Sequence, residues 1–251
     1  MKMFEVGGCV RDEILGVHSK DIDFSVVLEK SDFPGPGTVI YMPDAFTQME
    51  AILTRMGFKI FLSTPEHLTV RAQFPKDSER SRLTADFVLA RKEGTYSDGR
   101  RPDSVQVGTL EDDLARRDFT MNAIAKDSEG NLIDPFGGVQ DINDRVIRAV
   151  GSAFERLSED ALRAVRALRF SVTKGFRIDH EVAFAMESAA VLESIENKIS
   201  DERIKDELSK MFRFDTVASL LAMQRFPALT RAVFAGSVSL DSTMKQKGRG
   251  R

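Results

Sequence analysis

The 251 residues carry 36 Lys and Arg against 39 Asp and Glu, a formal net charge of −3, with 42% apolar residues, 17 Gly and 8 Pro. That balance excludes collagen-like, low-complexity and globally disordered chains, and it excludes nucleic-acid binding by bulk positive charge. One Cys excludes an internal disulfide framework, three scattered His give no zinc-ligand spacing, and no uncharged apolar run approaches the ~18 residues of a membrane span, so a soluble, cytoplasmic protein is expected.

Along the chain, residues 3–6 read as a short strand, Gly7-Gly8 as a break, and Cys9 to Leu15 as a helix ending near Gly16. Asp21 to Leu28 alternates polar and apolar residues and then turns β-branched, the pattern of a second strand. A loop is marked by Pro34, Gly35, Pro36 and Gly37. Ala45 to Met56 fits a helix closed by Gly57, and Phe58–Leu62, His67–Phe74 and Thr84–Ala90 read as strands of the same sheet. After Leu110 a helical patch is predicted from Glu111 through Ala125, and Asn131 to Gly138 is a strand-to-turn signal. From about residue 152 helix patterns dominate, with Ser158 before Glu159-Asp160 as the predicted N-cap of a helix running to about Phe170. Mixed strands and helices in one continuous unit indicate an α/β or α+β fold. Basic residues gather toward the C-terminus, which ends in Lys245-Gln-Lys-Gly-Arg-Gly-Arg251.

Five constellations bear on chemistry. Asp21-x-Asp23 on a strand places two carboxylates on one face, a hard-oxygen pair suited to Mg²⁺; two exposed strand acids are the alternative. Gly7-Gly8 leads into a helix carrying Arg11, so free amides and a guanidinium could meet phosphate oxygens, or the glycines form a structural turn. Asp86 lies in a β-like run whose neighbour could bring it beside the pair as a third carboxylate, or it is an acid on an edge strand. In Arg116-Arg117-Asp118-Phe-Thr-Met-Asn122, helical spacing puts Asp118 and Asn122 on one face. Finally, Asp160, Arg163, Arg166 and Arg169 wind around a helix, with Asp160 and Arg163 close enough to offer a base edge an acceptor beside a donor. A basic helix face is the competing reading.

Together these residues resemble the class II tRNA nucleotidyltransferase and bacterial poly(A) polymerase family. Gly7-Gly8-Cys-Val-Arg11-Asp12 with Asp21-Ile-Asp23 is similar to its nucleotidyltransferase signature, and Arg116-Arg117-Asp118-Phe-Thr-Met-Asn122-Ala to its second motif. Glu159-Asp160-Ala-Leu-Arg163-Ala-Val-Arg166-Ala-Leu-Arg169-Phe resembles its nucleobase-reading helix, and Asp201-Glu202-Arg203-Ile204-Lys205-Asp206-Glu207-Leu208-Ser-Lys210 its E-R-I-x-x-E-L-x-K motif. Asp134-Pro-Phe-Gly137-Gly138 falls where the family places such a turn, and the match runs in order over about residues 1–215.

The resemblance implies an α+β fold: a polymerase-β-like head with a mixed sheet over about 1–150, a helical neck over 151–215, and a short helical remnant with a basic tail over 216–251. It implies that Asp21 and Asp23 hold catalytic Mg²⁺ in a two-ion arrangement and that Gly8 and Arg11 meet the incoming nucleotide; Asp86 is expected as a further catalytic carboxylate from its place in the β-like run. Arg117, Asp160, Arg163, Arg166 and Arg169 complete the nucleotide site, with Asp160 and Arg163 selecting ATP or CTP. The implied reaction is template-independent addition of CCA to the 3′ end of tRNA with release of pyrophosphate. Poly(A) addition to RNA, or a catalytically silent RNA-binding module on the same scaffold, are the alternatives. Because the chain ends soon after the E-R-I motif, the basic tail is expected to contribute to the grip on RNA.

Overall fold

The computed structural model describes residues 1–19, 21–33, 41–94, 104–236 and 238. These fall into two units: a head, from described residues of 1–94, 104–117 and 121–142, and a helical unit, from 118–120 and 143–236.

In chain order the head comprises β1 (Lys2–Val6), α1 (Gly8–Ile14), β2 (Asp23–Val27), α2 (Met42–Arg55), β3 (Lys59–Thr64), β4 (Thr69–Gln73) and β5 (Thr84–Leu89). It continues through β6 (Arg91–Glu93), β7 (Val105–Val107), α3 (Leu110–Ala115), β8 (Ala125–Lys126), β9 (Leu132–Ile133) and, at its end, α4 (Gly138–Asn143). Seven strands form one sheet in the order β3-β4-β5-β2-β1-β8-β9, and β6 pairs with β7 separately. Within the large sheet β2 and β5 run parallel, and the other pairings are antiparallel.

Alternation along the strands fixes which side chains are buried. Ala85, Phe87 and Leu89 of β5 enter a core with Phe24 and Val26 of β2 and with Ala45, Phe46, Met49 and Leu53, the apolar stripe of α2. Phe24 stacks on Phe87 at 5.1 Å between ring centroids, and Phe58 meets Phe87 edge-on at 4.9 Å. The residues between these core positions, Asp23 and Asp86, therefore belong to the opposite face of the sheet. Pro43 starts α2, Asp44 and Arg55 complement its two ends, and Gly57, at φ 88°, closes it.

Three sequence expectations need correction here. The second strand begins at Asp23, so Asp21 stands two residues ahead of it, outside the ladder. The helical run expected from 111 to 125 stops at Ala115, followed by a 3-10 turn at Thr120–Asn122 and by β8. Asp118 and Asn122 consequently do not share a helix face: Asp118 packs with the helical unit and Asn122 with the head. The expected loop at 34–37 and the basic tail lie outside the described residues.

The helical unit opens with β10 (Val146–Ile147) and then holds α5 (Ala153–Glu159), α6 (Leu162–Thr173), β11 (Arg177–Ile178), α7 (His180–Met186), α8 (Ala189–Asn197), α9 (Asp201–Phe214), α10 (Thr216–Gln224) and α11 (Pro227–Val233). The two short strands pair in parallel. Leu162, Val165 and Leu168 of α6 are buried, as are Ile204, Leu208 and Met211 of α9, which packs against α6. Ser158 is not a cap: it lies inside α5, which is capped by Ser152 accepting from the Glu155 amide. The chain breaks between α5 and α6 because Asp160 adopts an extended conformation (φ −144°), and Asp160 Oδ1 accepts from the Leu162 amide at 3.2 Å. Among the described residues no helix is long and apolar enough to cross a membrane.

Candidate active site

In the head, Asp21, Ile22, Asp23, Arg71, Thr84, Ala85 and Asp86 line a polar cleft of about 400 Å³. The parallel register of β2 and β5 sets Asp23 opposite Asp86, and the antiparallel register of β4 and β5 sets Arg71 opposite Asp86. Arg71, Asp86 and Asp23 thus form one row across three neighbouring strands. Arg71 grips Asp86 with a two-pronged fork, Nε to Oδ1 and Nη2 to Oδ2, each at 2.6 Å. Among the described residues Asp21 and Asp23 form no salt bridge. Burial pushes the Asp23 carboxyl above its ordinary range, and the charges of Asp86 and Asp21 push it further, against the opposing pull of Arg117 and Arg71.

This donor set fits a hard divalent cation. Two carboxylates that form no salt bridge among the described residues face a polar cleft, and Mg²⁺ binds through one or two carboxylates while keeping water and phosphate ligands. No three His, Cys, Asp or Glu side chains among the described residues converge as a metal-holding group, which agrees with Asp86 being taken up by Arg71.

The glycine turn and the arginines are also built into the head. Gly7 has φ 76° and ψ −130°, a conformation open to glycine, and a Cβ there would stand 2.8 Å from Arg117 Nη1. Gly8 begins α1, and a Cβ on it would be 3.5 Å from Arg11 Nη2. Arg11 is buried, donating to Asn122 Oδ1 at 2.6 Å and to Asp12 Oδ1 from Nε at 2.9 Å. Arg117 donates to Asp113 Oδ2 at 3.0 Å and to the Asn122 carbonyl at 3.3 Å, while its Nε is buried without a hydrogen-bond partner. Asp113 is placed by a capping box in which Thr109 and Asp112 bond reciprocally at the start of α3. Fully buried, Asp113 also accepts from Arg116 Nη2 at 2.5 Å. Burial alone would raise its pKa, but the Arg116 and Arg117 guanidiniums outweigh that and hold it below the ordinary carboxylate value.

The helical unit carries its own polar cluster. Asp160, expected beside Arg163, forms its ion pair with Arg203 of α9, Oδ2 to Nη2 at 2.8 Å. Arg163 instead donates to Glu159 Oε2 and to the Arg156 carbonyl, both at 2.9 Å. Arg166 donates to buried Asp118 from Nε at 2.8 Å and Nη2 at 2.6 Å, and Asp118 holds the guanidinium in its charged form. Arg169 bonds Glu207, whose other oxygen lies 3.6 Å from Arg166. Sequence reasoning missed Arg71 altogether and gave no role to Asp113, Arg203 or Glu207. The last two stand four apart on α9, a helical-face signal inside a motif that was recognised only by likeness.

A mixed-sheet head bearing a carboxylate pair, a glycine turn and clamped arginines, followed by a helical region, is the architecture of one known group. The chain belongs to the poly A polymerase head-domain family, whose model matches residues 3–148. Its relatives include the CCA-adding enzymes of Lactococcus lactis, 41% identical over 212 residues that cover 82% of this chain and 46% of the relative, and of Staphylococcus epidermidis, 37% identical over 242 residues that cover 96% and 53%. Among solved structures, the Bacillus stearothermophilus CCA-adding enzyme in complex with CTP superposes with a TM-score of 0.70 at 30% identity, covering 90% of this chain and 48% of that one. A tRNA nucleotidyltransferase complexed with a primer tRNA and an incoming ATP analog gives 0.69 at 27% identity, covering 94% and 60%. The chain spans about half the length of the curated relatives it matches.

Proposed function

We propose that this chain carries the nucleotidyl-transfer centre of a CCA-adding enzyme, extending the 3′ end of tRNA from CTP and ATP without a template and releasing pyrophosphate. The observation that supports this most directly is the Asp21 and Asp23 pair, free of ion pairs among the described residues and facing a polar cleft. These two residues hold Mg²⁺, which when bound activates the attacking hydroxyl and neutralises the departing pyrophosphate. Asp86 stands opposite Asp23 in the same sheet, where it is paired with Arg71. Gly8, Arg11 and Arg117 hold the triphosphate: the glycine permits close backbone approach, and the two guanidiniums, already immobilised by Asn122, Asp12 and Asp113, supply charge with little further loss of side-chain freedom. In the helical unit, Asp160 and Arg163 would exchange their present partners, Arg203 and Glu159, for the base edge and supply the acceptor and donor that select cytosine or adenine. Arg166 and Arg169, tied to Asp118 and Glu207, keep α6 in place for that reading. A single buried Cys suits work in the reducing cytoplasm.

The test is incubation of the purified chain with tRNA lacking its terminal CCA and with labelled CTP or ATP. Incorporation of CTP followed by arrest after one A supports the reading. Long ladders from ATP alone would instead assign polyadenylation, an outcome that the family's poly A polymerase head model keeps in view. Asp23→Asn should reduce incorporation by orders of magnitude with the far-UV circular dichroism unchanged. Undiminished turnover in that variant would remove the pair from the chemistry.

A further inference from the structure

Among the described residues Arg71 is the one cationic side chain lining the carboxylate cleft, and its place there follows from strand register. It sits on β4 between buried Val70 and Ala72, so alternation turns it to the same face as Asp86 and Asp23. Both oxygens of Asp86 are engaged by its fork at 2.6 Å. Half of the Arg71 side chain remains exposed, so the pair is bathed by solvent and is held by geometry more than by burial. The result is a row of three positions in which the middle carboxylate, Asp86, is paired with Arg71, while Asp23 at its end and Asp21 beside it form no salt bridge among the described residues.

We infer that Arg71 is a positioning residue that acts as a built-in counter-ion: it withholds Asp86 from a bound divalent cation and thereby weakens the affinity of the cleft for that cation. This rests on the proposed role of Asp21 and Asp23 as cation ligands. Two consequences follow from charge. The guanidinium cancels one of the three negative charges that would otherwise attract the ion. It also occupies the lone pairs through which Asp86 would join as a third ligand, so Asp86 becomes available only as the fork opens. A weakly held cation can enter and leave with each triphosphate and pyrophosphate, whereas a cleft with three free carboxylates would retain it.

Taking a guanidinium and a divalent ion as about 6 Å apart, Coulomb's law with the dielectric of water makes the removal of their repulsion worth roughly ten-fold in affinity. The probe is Mn²⁺, titrated into the full chain by calorimetry and by loss of the free-ion electron paramagnetic resonance signal, with no nucleotide or RNA present. Arg71→Met and Arg71→Gln both remove the charge, and Arg71→Lys keeps charge but not the two-pronged geometry. The two neutral variants are expected to bind Mn²⁺ about ten-fold more tightly than the unaltered chain, and Arg71→Lys to stay within about three-fold of it. Asp86→Asn in the Arg71→Met background should abolish the gain, because the carboxylate set free is the one removed. If the unaltered chain binds Mn²⁺ in a manner lost in Asp23→Asn, yet both neutral variants bind it equally or more weakly, the inference about Arg71 is overturned while the ligand pair stands. If neither the unaltered chain nor the neutral variants bind Mn²⁺, the ligand pair fails and the inference fails with it.

Discussion

Replacing Asp113 by Asn tests how the arginine beside the glycine turn is held. The carboxylate is fully buried and accepts from Arg116 at 3.0 and 2.5 Å and from Arg117 at 3.0 Å. Both guanidiniums are themselves about four-fifths covered, with side-chain exposures of 22% and 20%. Asn fills the same space but supplies one carbonyl oxygen and no charge, so two largely covered cations are left poorly compensated. Removing one partner of a buried pair costs about 3–5 kcal/mol. The lower end applies, since Arg116 keeps Glu93 at 3.5 Å and Arg117 keeps the Asn122 carbonyl at 3.3 Å. A loss of about 3 kcal/mol corresponds to a fall in melting temperature of roughly 6–12 °C for a chain of this length. The chain contains no Trp, so the assay is thermal and urea unfolding followed by far-UV circular dichroism. A destabilisation under about 1 kcal/mol would refute the view that Asp113 organises the two arginines.

Asp113 also makes a pH prediction. Its pKa is lowered in the folded head from the ordinary 3.8, so its stabilising contribution is complete above that value and is lost as the pH falls through the folded one. Asp113→Asn should therefore unfold with a shallower dependence on pH below about 4 than the unaltered chain, and an unchanged acid limb would contradict the assignment. Gly7→Ala forces a side chain into a backbone region that costs about 1–3 kcal/mol and places a methyl 2.8 Å from Arg117 Nη1. Weaker ATP binding in equilibrium dialysis and a lower melting temperature are both expected. Glu207→Gln removes the charge that holds Arg169 and faces Arg166, and should destabilise the helical unit by about 2 kcal/mol in urea titration.

The strongly patterned elements were legible in the sequence because their periodicity is long enough to read. β4 and β5 alternate over five and six residues, and α2 repeats its apolar stripe through Ala45, Phe46, Met49 and Leu53. β8, β9, β10 and β11 have two residues each and carry no period, so the patch after Glu111 reads as helix until the 3-10 turn interrupts it. Ser158 and Ser152 carry the same capping chemistry, and only the extended backbone of Asp160 decides where one helix ends and the next begins. In the candidate site, Asp21-x-Asp23 and Gly7-Gly8 announce themselves as local motifs. Arg71 does not, because its neighbour Asp86 is fifteen positions away and the two meet only through the β4 and β5 register. The Asp160 and Arg203 pair is hidden for the same reason, being separated by forty-three positions and joined by the packing of α6 on α9.

The parallel pairing of β2 with β5 has a bearing on how this protein reaches its working form. The chain between them contains α2, β3 and β4, so Asp23 leaves the ribosome well before Asp86, and the two cannot be neighbours until that whole stretch has been laid down. The meander of β3, β4 and β5 pairs locally and can zip up unaided, whereas seating β2 alongside it requires closing a long excursion, the slower kind of event in β-rich chains. During refolding from denaturant, recovery of ellipticity should run ahead of the closing of the cleft that Asp23 and Asp86 line together. A lesion confined to that excursion would leave both acidic segments intact and still prevent them from meeting.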